Sequence, residues 1–408
     1  MNVQSYIAGQ WVDGKELGTE VVNAVNGESI GCVSSSGIDF KQCLNHARQT
    51  GGPALRTLTF HQRANRLKAL AQRLMEKKQD FYRVSAWTGA TKTDSWIDIE
   101  GGISTLFTYS SLVRRELPNE TFLVEGEPEK LSAQGSFVGR HILVPKEGVA
   151  VHINAFNFPC WGMLEKIAPS LAAGMPVIIK PATVSCYLTE IMVKEIIASK
   201  IFPEGSIQLI SGSVGDLLNH LNEQDVVTFT GSASTGQKLR THPNIVANSI
   251  PFTMEADSLN CSILGNQVEP GSAEFDLYVN EVAREMTIKA GQKCTAIRRA
   301  IIPRNKVEAV ADALKARLQK ARLGDPSTDG VKMGPLVGRD QMRDVSDNVA
   351  LLRKSCELVL GGGSEFEVLG GDRNKGAYFP STLLYSDQPL NEDTPHSIEA
   401  FGPVSTLM

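Results

Sequence analysis

From about residue 60 the apolar positions Leu67, Leu70, Ala71 and Leu74 recur at helical spacing, with Arg, Lys and Gln on the opposite face. This predicts an amphipathic helix with its apolar stripe against a core. Between residues 118 and 140, Pro118, Gly126, Pro128, Gly135 and Gly139 interrupt a stretch of mixed charge with few apolar runs, which predicts an extended arm or hairpin. From residue 141 short β-branched runs alternate with helical segments: HILVPKEGVAVHIN, LEKIAPSLAAG, PVIIKPA, LTEIMVKEIIAS, SIQLISG, DLLNHL, DVVTFTG and STGQKLR. Strand and helix at this spacing predict βαβ units on a parallel sheet with helices on both faces, an architecture suited to dinucleotides. After residue 255 a second alternation begins. It comprises NCSILG, a helix through Phe275, Val279, Val282 and Met286, the strand RAIIP, and a helix on Val307, Val310, Leu314 and Leu318. A second α/β domain follows.

Length and charge narrow the function classes. The chain has 408 residues, too long for one small module, with 42% apolar and 21% charged positions. A net charge of −4 gives no electrostatic reason for nucleic acid or an anionic membrane as partner. No apolar window of about 18 residues and no signal-peptide pattern occurs, so a cytoplasmic protein is expected. The seven cysteines are odd in number and scattered, without a C-x-x-C pair or zinc-ligand spacing, so they read as reduced thiols with no metal site.

Several residues could carry chemistry. Phe229-Thr230-Gly231-Ser232-Ala233-Ser234-Thr235-Gly236 joins an apolar strand to a polar helix, where glycines and free N–H groups can cradle a phosphate, although a plain strand-to-helix turn has the same pattern. Lys180 ends the buried run Pro176–Ile179, the end of a parallel strand where ligands bind, or else it merely caps that strand. Cys294, in Gly291-Gln292-Lys293-Cys294-Thr295-Ala296 after a helix ending near Ala290, is either an inert small hydrophobe or a thiolate nucleophile favoured by the charge of Lys293. Glu255 ends an apolar strand as a surface residue or a partly desolvated base. Asn157, in Asn154-Ala155-Phe156-Asn157-Phe158-Pro159, is a turn residue or an amide donor to an oxyanion.

Together and in this order, these segments resemble the aldehyde dehydrogenase superfamily. The match consists of Phe156-Asn157-Phe158-Pro159, Lys180-Pro181-Ala182, Phe229-Thr230-Gly231-Ser232 with Gly236, Met254-Glu255, Gly291 to Ala296, and Glu399-Ala400-Phe401-Gly402-Pro403-Val404. It runs from Tyr6-Ile7-Ala8-Gly9-Gln10-Trp11 to the last residue. Longer stretches, such as SIPFTMEADSLN and REMTIKAGQKCTAIRR, resemble a branch of ring-opening enzymes of phenylacetate catabolism. In that branch the dehydrogenase half oxidises a CoA-thioester semialdehyde and is joined to a C-terminal hydratase. Glu255 is followed by Ala256-Asp257-Ser258, as in this branch, rather than by the Leu-Gly-Gly of the general family.

The resemblance implies an α/β aldehyde dehydrogenase fold. A Rossmann-like dinucleotide-binding domain would span 1–124 and 147–255, an extended oligomerisation arm 125–146, and a catalytic domain 256–408, incomplete at its C-terminus. It implies a homo-oligomer built from dimers and a longer gene product carrying the hydratase. It also assigns roles. Cys294 attacks the aldehyde, because an sp² carbon has no hydride to give until it becomes tetrahedral. Asn157 and the Cys294 N–H hold the oxyanion, and Glu255 activates the water that hydrolyses the thioester. Members that pass the acyl group to CoA lack this glutamate, so a free carboxylate is the expected product. The cofactor residues are Phe156, Lys180, Thr183, Gly231, Ser232, Gly236, Glu399 and Phe401, the last two at the nicotinamide ribose. NAD-preferring members have a ribose-binding Glu where this chain has the neutral Thr183, so NADP is expected, with NAD possible. Arg284, Lys289, Lys293, Arg298 and Arg299 are expected to attract the CoA anion. A catalytically silent binding protein and a CoA-acylating dehydrogenase are the alternatives.

Overall fold

The computed structural model describes residues 2–16, 18–363 and 365–408, which divide into two compact units. The first comprises Met1–Glu20, Gly31–Phe81 and Ile97–Ala256, and the second Val21–Ile30, Tyr82–Trp96 and Asp257–Met408. Two segments of the 1–124 stretch, Val21–Ile30 and Tyr82–Trp96, fall within the second unit. Long-range bonds place them: the Ala377 N–H donates to the Ala24 carbonyl at 2.9 Å, and the Lys289 N–H to Asp94 at 2.7 Å. No hydrophobic period announces such pairings.

The first unit is built on a seven-stranded sheet. Its strands are β1 (Ser5–Ile7), β2 (Gln10–Val12), β3 (Ala150–Ile153), β4 (Val177–Lys180), β5 (Ile207–Leu209), β6 (Val226–Gly231) and β7 (Phe252–Ala256), ordered β7-β6-β3-β4-β5-β1-β2. The five strands from β7 to β5 are parallel, whereas β1 and β2 add antiparallel pairings at one edge. Strands β3 and β4 are buried along their whole length, which explains why they are apolar except for His152 and the terminal Lys180. The predicted helix is α1 (Phe60–Ser85), and Leu67, Leu70, Ala71 and Leu74 are fully buried. Helices α2 (Pro159–Ala172), α3 (Cys186–Ala198) and α4 (Ala233–Arg240) connect β3 to β4, β4 to β5 and β6 to β7. The path from β3 runs outward through β4 and β5, then returns to β6 on the other side of β3. The switch point lies between β3 and β6, and the crevice beyond their C-terminal ends is where such sheets bind ligands.

Residues 123–143 form an antiparallel hairpin, Leu123–Lys130 against Val138–Leu143, which belongs to the first unit. Phe137, Val138, Ile142, Leu143 and Val144 are exposed on and beside it.

The second unit has strands β8 (Asn260–Ile263), β9 (Ile297–Ile301), β10 (Glu357–Leu360), β11 (Thr382–Tyr385) and β12 (Val404–Leu407), ordered β8-β9-β12-β11-β10, with only the β10–β11 pair antiparallel. Helices α5 (Ala273–Thr287) and α6 (Val307–Leu318) bury Phe275, Val279, Val282, Met286, Val310, Leu314 and Leu318 with Leu383 and Leu407. Helix α7 (Arg339–Leu352) buries Val345, Val349 and Leu352 with Leu384 and Val404. Neighbouring strand residues point to opposite faces, so Leu383 and Leu384 divide between two cores and both faces are covered. No helix among the described residues is long and apolar enough to cross a membrane.

Candidate active site

In the first unit most of the expected residues gather at the C-terminal ends of the central strands. Ile153 pairs in register with both Lys180 and Phe229, so β3, β4 and β6 reach the same level. The Lys180 ammonium is buried and donates to the Pro181 carbonyl at 2.9 Å. Burial pulls its pKa below the ordinary lysine value, with the Cys186 thiol opposing that shift. Thr183, half-buried, opens the 3₁₀ turn that leads into α3. Two polar side chains retain unused capacity: among the described residues, neither amide atom of the buried Asn154 nor Oγ1 of Thr230 has a hydrogen-bond partner. A polar ligand in the crevice would give such groups partners.

Ser232 caps α4, its side chain accepting from the Thr235 N–H, and Gly231 ends β6 just before it. Gly236 has a packing reason beside any phosphate role. A Cβ there would lie 2.6 Å from Met254 Sδ and 3.0 Å from the Phe229 ring, so its absence lets α4 lie close to the sheet. Phe156 is half-buried and Asn157 buried, two residues and one residue ahead of Phe158, the N-cap of α2. That helix start is fixed by Asp98, a residue the sequence did not single out. Its carboxylate accepts from the Cys160 and Trp161 N–H groups at 3.1 and 2.8 Å, and its charge favours the helix N-terminus.

Of the two readings of Glu255 the structure shows the surface one: Thr253 and Glu255 are exposed on β7, alternating with the half-buried Phe252, Met254 and Ala256.

The second unit holds Cys294, Glu399 and Phe401. Helix α5 ends at Thr287, three residues before the expected Ala290, and the chain then turns through three left-handed residues: Lys289 (φ 54°), Ala290 (φ 49°) and Gly291 (φ 67°). Two of these are not glycine, which costs roughly 1–3 kcal/mol each and persists only where surrounding contacts impose it. Those contacts are present. The Lys289 N–H donates to Asp94, its buried ammonium donates to Thr88 Oγ1 at 3.1 Å, and the Gln292 side chain bridges the Lys289 carbonyl and the Val337 N–H. Gly291 is fixed by space as well as by φ, since a Cβ would stand 2.1 Å from the Gly402 carbonyl oxygen.

The thiol that follows is exposed. Cys261 is exposed too, whereas Cys43, Cys160, Cys186 and Cys356 are buried, and burial pushes Cys43 and Cys186 up to about 12. The cation expected to activate Cys294 is otherwise engaged, because Lys293 pairs with Glu285 at 2.6 Å. The buried Arg298 organises the loop. It donates to the carbonyls of Gly291 and Gly402, pairs with Glu399 at 3.4 Å and lies 5.4 Å from the centroid of the Phe401 ring. Burial raises the Glu399 pKa and lowers that of Arg298, and their pairing opposes both shifts. Glu399 also accepts from the Ser258 N–H, and the Phe401 carbonyl from the Gln341 amide.

The five basic residues expected to attract CoA all have partners within the chain. Arg284 pairs with Glu281, Lys289 reaches Thr88, Lys293 pairs with Glu285, Arg298 with Glu399, and Arg299 donates to the Leu259 carbonyl and contacts His396. Lys289, Lys293, Arg298 and Arg299 hold the loop and its neighbours, whereas the Arg284–Glu281 pair is exposed on α5.

Over its full length the chain is 44% identical to 3,4-dehydroadipyl-CoA semialdehyde dehydrogenase of Aromatoleum evansii, covering 79% of that protein. Over 99% of its length it is 25% identical to an NADP-dependent succinate-semialdehyde dehydrogenase of Escherichia coli, covering 80% of that relative. The crystal structure of a betaine aldehyde dehydrogenase from Staphylococcus aureus in complex with NAD+ matches all of this chain and 77% of its own, with a TM-score of 0.85 at 22% identity, which confirms the fold. The family model for the aldehyde dehydrogenase family spans residues 11–408, and the chain belongs to that family.

Proposed function

We propose that this aldehyde dehydrogenase oxidises a semialdehyde carried on a CoA thioester to the carboxylate, with NADP preferred over NAD. The observation that carries the reading is 44% identity over the whole chain to a relative named for a CoA-linked semialdehyde, against 25–26% to relatives named for succinate and glutarate semialdehydes. The dinucleotide fits the first unit: the sheet has a switch point, Asn154 and Thr230 keep unpaired polar atoms, and Lys180 offers a buried cation. Phe156, Thr183, Gly231, Ser232 and Gly236 would complete that side, and Glu399 and Phe401 would hold the nicotinamide ribose. When bound, the dinucleotide supplies the hydride acceptor.

The chain's own groups have these proposed roles. The Cys294 thiolate adds to the aldehyde carbon, and the oxyanion so formed is held by the Asn157 amide and the Cys294 N–H. After hydride loss a thioester remains on Cys294, and Glu255 takes a proton from the water that hydrolyses it. An exposed carboxylate can pass that proton on to solvent. The exposed apolar residues of the hairpin support a homo-oligomer built from dimers, and the seven free thiols support a reducing, cytoplasmic setting. A C-terminal hydratase on the same gene product belongs to this reading through the resemblance.

The test compares a medium-chain ω-oxoacyl-CoA with succinate semialdehyde, using NADP and NAD, with products identified by mass spectrometry with and without free CoA. The expected result is at least about a tenfold higher kcat/KM for the CoA-linked aldehyde and a carboxylate product that ignores added CoA. Equal rates would leave a general semialdehyde dehydrogenase. Acyl-CoA formed only with CoA would mean acyl transfer. Dinucleotide binding without reduction by any aldehyde would mean a silent binding protein.

A further inference from the structure

We propose that Asn260 and Arg298 are positioning residues that fix the two peptide planes on either side of Cys294, an inference resting on Cys294 being the nucleophile. The Asn260 amide donates to the Cys294 carbonyl at 2.6 Å and to the Ala296 carbonyl at 3.2 Å. On the other side the Arg298 guanidinium donates to the Lys293 carbonyl at 3.4 Å and to the Gly291 carbonyl at 2.8 Å. The Lys293 carbonyl belongs to the same peptide unit as the Cys294 N–H, the group proposed to receive the oxyanion. With one side chain holding the preceding peptide and another the following one, both backbone torsions of the cysteine are set.

Both clamping residues are anchored by the sheet of the second unit. Asn260 opens β8 in register with Ile297 of β9, and Arg298 lies on β9 with 5% of its surface exposed. A guanidinium suits this position because its planar fork reaches several carbonyls at once, which a lysine ammonium on a flexible stem does not reproduce. A donor on the Lys293 carbonyl also polarises the N–H of that peptide, and an N–H already oriented needs no reorganisation when charge develops. The same guanidinium pairs with Glu399 and lies over Phe401, so it ties the nucleophile's loop to the residues proposed to hold the nicotinamide ribose. Asn260 has only the first function.

That difference defines the experiment. Asn260→Asp keeps the shape and removes the donor, Asn260→Ala removes both, and Arg298→Lys keeps the charge without the fork. Arg373→Gln, which breaks an exposed ion pair with Glu365, is the control. In both Asn260 variants kcat should fall about 10- to 100-fold while KM for the dinucleotide stays within about threefold, because misplacement of the reacting group alone costs this much. Arg298→Lys should lower kcat and also raise the dinucleotide KM. Wild-type kcat in Asn260→Asp would overturn the proposal, as would losses that track a fall in Tm. If the wild-type protein oxidises no aldehyde, the functional reading fails and the clamp is tested separately, by alkylation of Cys294 with iodoacetamide read by peptide mass spectrometry. Asn260→Ala should then change the Cys294 rate relative to that of free cysteine in the same reaction by at least about threefold, and an unchanged ratio would overturn the clamp.

Discussion

The crevice of the first unit and the cysteine loop of the second achieve order in different ways. At the crevice, position follows from regular elements: Lys180, Phe229 and Ile153 stand level because parallel strands are in register, and the connecting helices follow from a repeated strand–helix pattern. Between α5 and β9 the cysteine loop has only a distorted 3₁₀ turn, Ile288–Gly291. Left-handed residues and side-chain bonds from Asp94, Thr88, Asn260, Gln292 and Arg298 hold it instead. A register tolerates change along its length, whereas a loop held by single bonds has points at which one substitution removes the arrangement.

The sharpest contrast is chemical. Cys294→Ala should reduce turnover below detection while dinucleotide binding, followed calorimetrically, remains. Cys261→Ser should keep wild-type kcat, although both thiols are exposed. Activity lost with Cys261 and kept without Cys294 would dismantle the assignment of the loop.

Two glycines compare the regions on the same scale. Gly291→Ala must place a Cβ 2.1 Å from a backbone oxygen at a φ of 67°, and neither can give way, so a cost of about 2–4 kcal/mol and a clear fall in Tm are expected. Gly236→Ala meets mainly the end of the flexible Met254 side chain, so about 1 kcal/mol is expected. Comparable losses in the two variants would remove the distinction drawn between the regions.

The same division decides what could be read from the chain beforehand. The stripes of α1, α5 and α6 and the runs of β3 and β4 announce themselves because burial repeats with the period of the element. The antiparallel strands β1 and β2 do not, being three residues each. Cys294, Glu399 and Phe401 are singled out through the resemblance, but Asn260 and Asp98 are not, because their partners lie 34 and 62 residues away. Lys293 shows the converse error: proximity in sequence to Cys294 suggests an electrostatic role, while its side chain pairs with Glu285.

The regular region has its own vulnerable point in His152, buried on β3 with its ring nitrogens 2.7 Å from Thr228 Oγ1 and 3.1 Å from Ser170 Oγ. Burial, aided by the Lys166 charge, pushes its pKa down to about 3. The unfolded chain, with an ordinary value near 6.5, binds the extra proton between those limits. Stability is therefore intact above about pH 6.5 and should fall by about 1.4 kcal/mol per pH unit as the pH drops through that window. His152→Gln should flatten the pH dependence of the urea midpoint by about one proton between about pH 5 and 6.5. An unchanged slope would mean that the sheet centre accepts the charge.

The smallest expected effect tests the proposed dinucleotide preference at Thr183. Thr183 is neutral, half-buried and three residues beyond Lys180, at the first turn toward α3. A glutamate there could accept from ribose hydroxyls, and it would repel a 2′-phosphate. The unmodified chain should therefore bind NADP more tightly than NAD, and Thr183→Glu should weaken NADP and strengthen NAD by about tenfold each, near 1.4 kcal/mol apiece. Because the substitution lies in a turn and not in the sheet, the strands should keep their register and Tm should change little. Isothermal titration of both dinucleotides against both proteins decides it. NAD bound as tightly as NADP by the unmodified chain would remove Thr183 as the determinant. The same titrations on Lys180→Gln would then show whether the buried cation makes the choice instead.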